Sequence, residues 1–416
     1  VLSSDVVIVG AGVSGLAAAH HLIAAGVSVS VLETADDPGG RMATASADGF
    51  RLDRVGQLLN TAYTEPARTP GLEGLTLRPF APGVLVHGAD GKRQRAGALT
   101  PARALASGSL DQARLSAALA RLAALPPDRV LARPERTALA ALRSRGLPPR
   151  TVNGILRPLL SALLRDPDLT TSSRVADLAL RTFARGRLAV PEGGAATLPD
   201  LLAAGLPPGT VRTGIRVRSV ATNLVTTEEH GDFACRSVLL ATGARAAAEL
   251  LPGLRVPAFH EVTVIHHATA EPLPWDGSLL LDADPEWPVA HTTVMSAVDP
   301  TRAPAGRSLV TTTVHGPPPP ARTVASRLAR LYDTATRGWE LLAVHHTPEA
   351  VPAMPPPHDR QRPVRVLAGL YVCGDHRDSN TVQGALQSAR RAATALLRDF
   401  GIPLQSHPEP VLPVAA

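Results

Sequence analysis

Val6-Val7-Ile8-Val9-Gly10-Ala11-Gly12-Val13-Ser14-Gly15, followed by a second apolar run that ends at Glu33, decides the fold of this 416-residue chain. Val6 to Val9 is a short β-branched run of the kind buried in a parallel sheet. The spacing of Gly10, Gly12 and Gly15 lets the chain turn sharply, brings the backbone against a pyrophosphate and allows the following helix to pack closely on the strand. A helix from Val13 to about Ala25 aims its free N–H groups and positive dipole end at the phosphates, so no basic side chain is needed. A second strand, Val27 to Leu32, then delivers Glu33 to ribose hydroxyls. Strand, glycine turn, helix, strand and acid together specify a dinucleotide site. Glu33 does not separate NAD from FAD, because both carry an adenosine ribose with a free 2′-hydroxyl.

The next segment does separate them. Asp36-Asp37-Pro38-Gly39-Gly40-Arg41-Met42 resembles the second signature of the large flavoprotein superfamily that holds amine oxidases, protoporphyrinogen oxidases and phytoene desaturases. The resemblance implies FAD as cofactor, with Gly39, Gly40 and Arg41 folded over the flavin side of the pyrophosphate. Gly49 to Leu59 resembles the block that passes beneath the isoalloxazine. Val55-Gly56-Gln57 stands where related sequences carry Gly-Phe-Gln, so Gln57 is kept and the aromatic is not.

Further along, Gly369-Leu370-Tyr371-Val372-Cys373 reads as a strand with Gly374-Asp375 at its tip, and Asn380-Thr381-Val382-Gln383-Gly384-Ala385 opens a helix to about Arg398. This closely resembles the C-terminal flavin motif of phytoene-desaturase-like proteins. It implies that Asp375 bonds a ribityl hydroxyl or the pyrophosphate edge. It also implies that amides from Val382 through Gln383 to Ala385 face the flavin N1–C2=O edge, where a helix N-terminus favours negative charge. Between these blocks, strand-like runs at Val211 to Val220, Thr222 to Thr227 and Phe233 to Leu240 lead into Ala241-Thr242-Gly243-Ala244. In the superfamily such a segment returns the chain to the flavin domain, with Val217 or Val220 near the adenine and Thr242-Gly243 beside the first glycine loop.

The implied fold class is α/β: a Rossmann-like FAD-binding domain of the glutathione-reductase type with an inserted mixed α+β substrate domain. Residues 1–75, 190–255 and 360–400 are assigned to the FAD-binding domain, 76–189 and 256–359 to the substrate domain, and 401–416 to a C-terminal tail. Leu110 to Asp177, rich in Ala, Leu and Arg and broken by Pro126-Pro127, Pro148-Pro149 and Pro158, reads as several short helices. Beyond Pro252 strand-like runs at Glu261 to His267 and Ser308 to Val314 predict an antiparallel sheet carrying a helix at Ala321 to Arg337.

Composition narrows the function. At this length the chain has room for two substantial domains, each with its own core. No window approaches the roughly 20 consecutive apolar residues of a membrane span. The opening apolar run leads into a glycine turn with no basic leader, so cytoplasmic residence, with peripheral membrane contact as an option, is the expectation. Cys235 and Cys373 lie far apart and outside any CxxC pair, which argues against a dithiol centre or a zinc site. The formal charge is +6, and Lys92 is the only lysine, set in the polar turn Gly88 to Gly91. A Schiff-base lysine is therefore disfavoured. Between Arg121 and Arg187 thirteen arginines face five acids. They read as a solvated helical face, or as a docking surface for an anionic partner such as an acidic carrier domain or a membrane leaflet. Nucleic acid is disfavoured, because Phe183 is the segment's one aromatic.

No second GxGxxG follows, so a tightly housed NAD(P)H gives way to dioxygen, a quinone or a substrate pair as electron partner. Amine oxidases carry an aromatic ring just before the terminal flavin helix, where this chain has Thr381. The leading expectation is an FAD-dependent oxidase or desaturase acting on an apolar or polyene-like small molecule, with hydride transfer to flavin N5. The alternatives are an isomerase or cyclase without net redox, an amine oxidase, and a non-catalytic homologue. Nine of fourteen histidines lie between His260 and His376. His315, His346 and His376 are the candidate acids or bases, and Tyr63 and Trp339 the candidate cavity walls.

Overall fold

Strand side chains alternate between faces, and Val6–Val9 buries both. Val6 and Ile8 join a core shared with the first helix, while Val7 and Val9 enter a second core across the sheet. That double burial is the reason for an unbroken β-branched run. The computed structural model describes residues 2–97, 110–287 and 289–403. Its six-stranded sheet runs Val211–Arg212, Val29–Leu32, Val6–Val9, Ser237–Leu240, Leu370–Val372, Arg365–Leu367, parallel except for the last pair. Helices Val13–Ala24, Thr197–Ala204 and Val382–Asp399 pack on one face. A four-stranded sheet of Leu2–Ser3, Asp232–Ala234, Leu224–Thr227 and Val217–Val220 covers the other.

Two expected strands divide between these layers. Val211 to Val220 breaks at Gly214, whose φ of 68° bends the chain out of the central sheet. Phe233 to Leu240 breaks where the backbone changes partner: Cys235 N–H donates to Asn223, and Arg236 and Ser237 N–H donate to Asp5. The helix expected over Ala321 to Arg337 ends at Tyr332, because Asp333 turns left-handed. The tail expected over 401–416 lies outside the described residues from 404 onward.

The second sheet has seven strands in the order Glu340–Pro352, Phe259–Thr269, Ser308–His315, Val289–Val294, Leu280–Asp282, Val84–His87, Arg93–Ala96. Ala321–Tyr332 packs on one face. On the other lies a group of helices that includes Leu110–Ala124, Arg157–Leu164 and Ser173–Arg185. Pro127 and Pro149 stand in first turns, where a missing N–H leaves no bond unmade, whereas Pro158 lies within a continuous helical run just after the π turn Val152–Leu156. Asp53 ties the sheets together. Its carboxylate accepts from Thr44 Oγ1 at 2.7 Å and Ala195 N at 2.9 Å, and faces Arg302 Nη2 at 3.0 Å. Among the described residues no helix is long and apolar enough to cross a membrane.

Burial pushes the rings of His266, His267 and His315 down to about 4, and His291 down to about 3. All four are neutral in the folded protein at pH 7. In the unfolded chain they take up protons near pH 6.5, so acid protonates the unfolded state first and stability is lost as pH falls from about 6.5 towards 4. Thermal melts should give a lower Tm at pH 5 than at pH 7, with each buried ring contributing on the order of 1 kcal/mol. Equal Tm values would show that these rings are not held neutral.

Candidate active site

Gly10 ends the first strand at φ 103°, and a Cβ there would lie 3.0 Å from the Ala241 carbonyl oxygen. At Gly15 the approach is closer still: a Cβ would lie 2.0 Å from the Gly10 oxygen. The helix can meet the strand only with a bare backbone at this point. Gly12 is different. It precedes the helix at φ −74°, and a Cβ there would meet nothing within 4 Å, because Gly12 borders a cavity of about 730 Å³.

Glu33 reaches the same cavity. Its Oε2 accepts the Ala11 N–H at 2.8 Å and its Oε1 the Ala35 N–H at 2.9 Å. Each oxygen keeps a lone pair for a ribose hydroxyl. Gly39 N–H donates to Ala11 O at 2.9 Å, and Gly40, at φ 58°, lies against Gly12. Val217, Thr242 and Gly243 line the cavity, whereas Val220 does not.

Arg41 and Asp375 join the two ends of the chain across this space. Arg41 Nη2 donates to Asp375 Oδ1 at 2.7 Å and Nη1 to Ala350 O at 2.9 Å. Burial would raise the Asp375 carboxyl, but the charge and hydrogen bond of Arg41 hold it below its ordinary value. Gly374, at φ 139°, makes room for the His376 ring, which a Cβ would approach to 2.7 Å. His376 lines the cavity with neither ring nitrogen bonded among the described residues, and burial pushes it down to about 4.

The helix Val382–Asp399 begins at the same place. Thr381 Oγ1 accepts the Gly384 N–H at 3.1 Å, capping the helix, and Ser14 Oγ donates to Ala385 O at 3.2 Å. Val382 and Ala385 line the cavity; Gln383 does not. The Gln383 side chain turns away to accept from Glu65 N at 3.0 Å and to donate to Thr64 Oγ1 at 3.2 Å. The cavity fits FAD. It has a glycine backbone bare towards the space at Gly12, a carboxylate placed for a ribose, two helix N-termini and the volume of an extended ligand.

A second cavity of about 310 Å³ meets the first at Gln57, Asn380 and Thr381, which line both. Tyr63 stands in it, bonded to Thr381, its hydroxyl pushed up to about 12 by burial. Glu65 is held there by Arg390 in two bonds of 2.8 Å. Arg165, which carries no local motif in the sequence, is buried beside them. Its Nη1 donates to Val55 O at 3.0 Å and its Nη2 to Gly56 O at 2.9 Å and Gln57 Oε1 at 3.4 Å. It fastens the segment that leads to Gln57.

The catalytic expectations change. His315 and His346 line neither cavity. His315 Nε2 lies 2.8 Å from Ser161 Oγ, beneath the helix Arg157–Leu164. His346 sits on the edge strand, 3.0 Å from Thr263 Oγ1 and 2.9 Å from Glu261. Trp339 packs on Tyr332 and His267 and also lines neither. Of the histidines, His376 alone lines the larger cavity, and none among the described residues lines the smaller. Within the arginine-rich segment several side chains have partners. Arg133 and Arg145 pair with Asp177, Arg150 with Asp111 and Arg174 with Glu135, while Arg181, Arg185 and Arg187 donate to backbone carbonyls.

The profile of the family described as flavin containing amine oxidoreductase matches residues 13–397. The chain belongs to that family, and its cofactor is FAD. The phytoene dehydrogenase of Streptomyces griseus is 56% identical over 48 residues, 12% of this chain and 10% of that protein. Such matches span about a tenth of the length of the curated relatives. Among solved structures, putrescine oxidase bound to putrescine has a TM-score of 0.70 at 21% identity, covering 95% of this chain and 99% of that one. Cyclohexylamine oxidase from Brevibacterium oxydans IH-35A has a TM-score of 0.68 at 20% identity, covering 96% and 99%. The shared fold thus extends over nearly the whole chain.

Gly12→Leu should fold, with an unchanged far-UV circular dichroism spectrum, and carry no flavin absorbance, because its Cβ meets no protein atom within 4 Å and the side chain takes cofactor space. Gly15→Ala should instead lose roughly 1–3 kcal/mol of stability through overpacking. A fully yellow Gly12→Leu protein would remove the cofactor from this cavity.

Proposed function

We propose that the chain is an FAD-dependent oxidase or desaturase that takes a hydride from a small molecule held in the second cavity. The observation that carries this reading is the meeting of the two cavities at Gln57, Asn380 and Thr381. When bound, FAD supplies a two-electron acceptor. The chain's own residues supply position and dryness. Ala162, Leu164, Val175 and Phe183 wall the cavity with apolar surface, which expels water from the reacting bond. The substrate gives up one C–H bond with its electron pair and a proton from the neighbouring atom. Tyr63 can pass that proton along its bond to Thr381, but with its hydroxyl held near 12 it is a relay rather than a base. Rate enhancement therefore rests on alignment. Dioxygen or a quinone is the electron acceptor this reading calls for.

The cavity's volume lies at the lower end of the ~300–1,000 Å³ range of small-molecule sites, which favours a compact apolar body over a long carotenoid. An amine is less suited, because among the described residues Arg68, Arg165, Arg181, Arg360 and Arg390 line the space against Glu65 alone.

Ala179 lines the second cavity only. Ala179→Trp should keep its flavin while the rate of anaerobic flavin bleaching by any substrate found in a compound screen falls about 100-fold. Bleaching at the parent rate would place the substrate elsewhere.

A further inference from the structure

Arg165 closes the helix Arg157–Leu164 in the left-handed region, at φ 57° and ψ 28°. Glycine is the common residue at such a point, and a side chain there is strained. This side chain is also 6% exposed. Three of its five N–H groups go to the oxygens of Val55, Gly56 and Gln57, all of them neutral. No acid among the described residues faces it: burial and the charge of Arg41 push the guanidinium down to about 10, and it stays charged at pH 7. A buried charge without a counter-ion is costly unless something supplies the opposite charge.

The neighbouring acids are already taken. Glu65, the one carboxylate lining the second cavity among the described residues, is held in two bonds by Arg390. Arg360 faces Asp378 at 3.7 Å. Arg181, which also lines the cavity, donates to Leu125 O at 2.6 Å and has no acidic partner among the described residues. The space is therefore lined by two arginines, Arg165 and Arg181, without an acidic partner among the described residues, and two N–H groups of Arg165 donate to none of them.

We infer that Arg165 anchors an anion subsite in the second cavity and that the molecule oxidised there carries a carboxylate. The inference rests on the reading of that cavity as the substrate chamber. A planar carboxylate supplies one negative charge for the one fully buried unbalanced cation and accepts N–H bonds from a guanidinium. The apolar walls then hold the rest of the molecule, and Thr381 and Gln57 mark where its reacting carbon meets the cofactor cavity.

Calorimetric titration of the FAD-loaded protein with benzoate, benzamide, benzylamine and phenyl phosphate tests this. Benzoate should bind at least about tenfold more tightly than the other three. Arg165→Met should lose that preference by weakening benzoate at least about tenfold more than benzamide; a merely structural arginine would weaken neutral and charged ligands alike. Tighter binding of benzylamine or phenyl phosphate, or an Arg165→Met protein that keeps the benzoate preference, overturns the inference. A crystal structure of the unaltered protein with 4-bromobenzoate decides the matter should Arg165→Met not fold. The carboxylate should lie within hydrogen-bond distance of Arg165, and a carboxylate elsewhere overturns the inference. Loss of the anion subsite leaves the oxidase reading standing, whereas parent-rate bleaching in Ala179→Trp removes the chamber itself.

Discussion

The cofactor cavity depends on one close approach, that of the helix Val13–Ala24 to the carbonyl of Gly10. With no side chain at Gly15 the helix begins directly above the end of the strand, and everything nearby takes its position from there. Ser14 reaches Ala385 O, which brings a second helix N-terminus to the same space. Ala11 offers its carbonyl to Gly39 and its N–H to Glu33. Hydrogen bonds of this length weaken steeply with displacement, so moving the helix out by the width of a methyl group would release the acid, the glycine turn and the second helix together.

Arginine does nearly all the cationic work in this protein, and its planar fork suits the buried positions it occupies. Arg302 meets Asp53 and Arg327 meets Asp282 deep between layers, while Arg41 and Asp375 close the cofactor cavity. Buried pairs of this kind contribute little net stability, because desolvation offsets attraction. Their contribution is geometric: each holds two distant segments in one register. Arg165 follows the same geometry with carbonyls in place of a carboxylate, and so leaves its charge unbalanced.

The parts of the site that could be read from the chain alone are those whose signal is local. Gly10, Gly12, Gly15 and Glu33 sit within one strand–helix–strand unit, and spacing there dictates contact. Gly39 to Arg41 and Gly374 to Ala385 are short turns before or at a helix, with the same property. Gln383 shows the limit: its backbone N–H belongs to the first turn of the helix, as the expectation had it, but where its side chain goes, to Glu65 and Thr64, depends on a segment more than 300 residues earlier. His315 and His346 were placed by chain position, which carries no direction; the faces of their strands turn them to Ser161 and Glu261. Arg165 had no signal at all, because its partners arrive from a segment 110 residues earlier. The divided strands were hidden for a related reason. In Phe233 to Leu240 only the change of hydrogen-bond partner from Asn223 to Asp5 tells the layers apart, whereas in Val211 to Val220 the break falls at Gly214.

The bond between Ser14 and Ala385 spans 371 residues, and this has a consequence for the protein's life in a cell. During synthesis the glycine loop emerges before the second helix, which completes the cradle only after the whole inserted domain has been made. A growing chain lacks that half of the cradle. Once the last piece docks, a ligand that binds only the native state adds stability by mass action, about 2.7 kcal/mol at a free concentration 100-fold above Kd. Cofactor capture thus stabilises the cradle only once both of its halves are present, by an amount set by the free concentration of FAD.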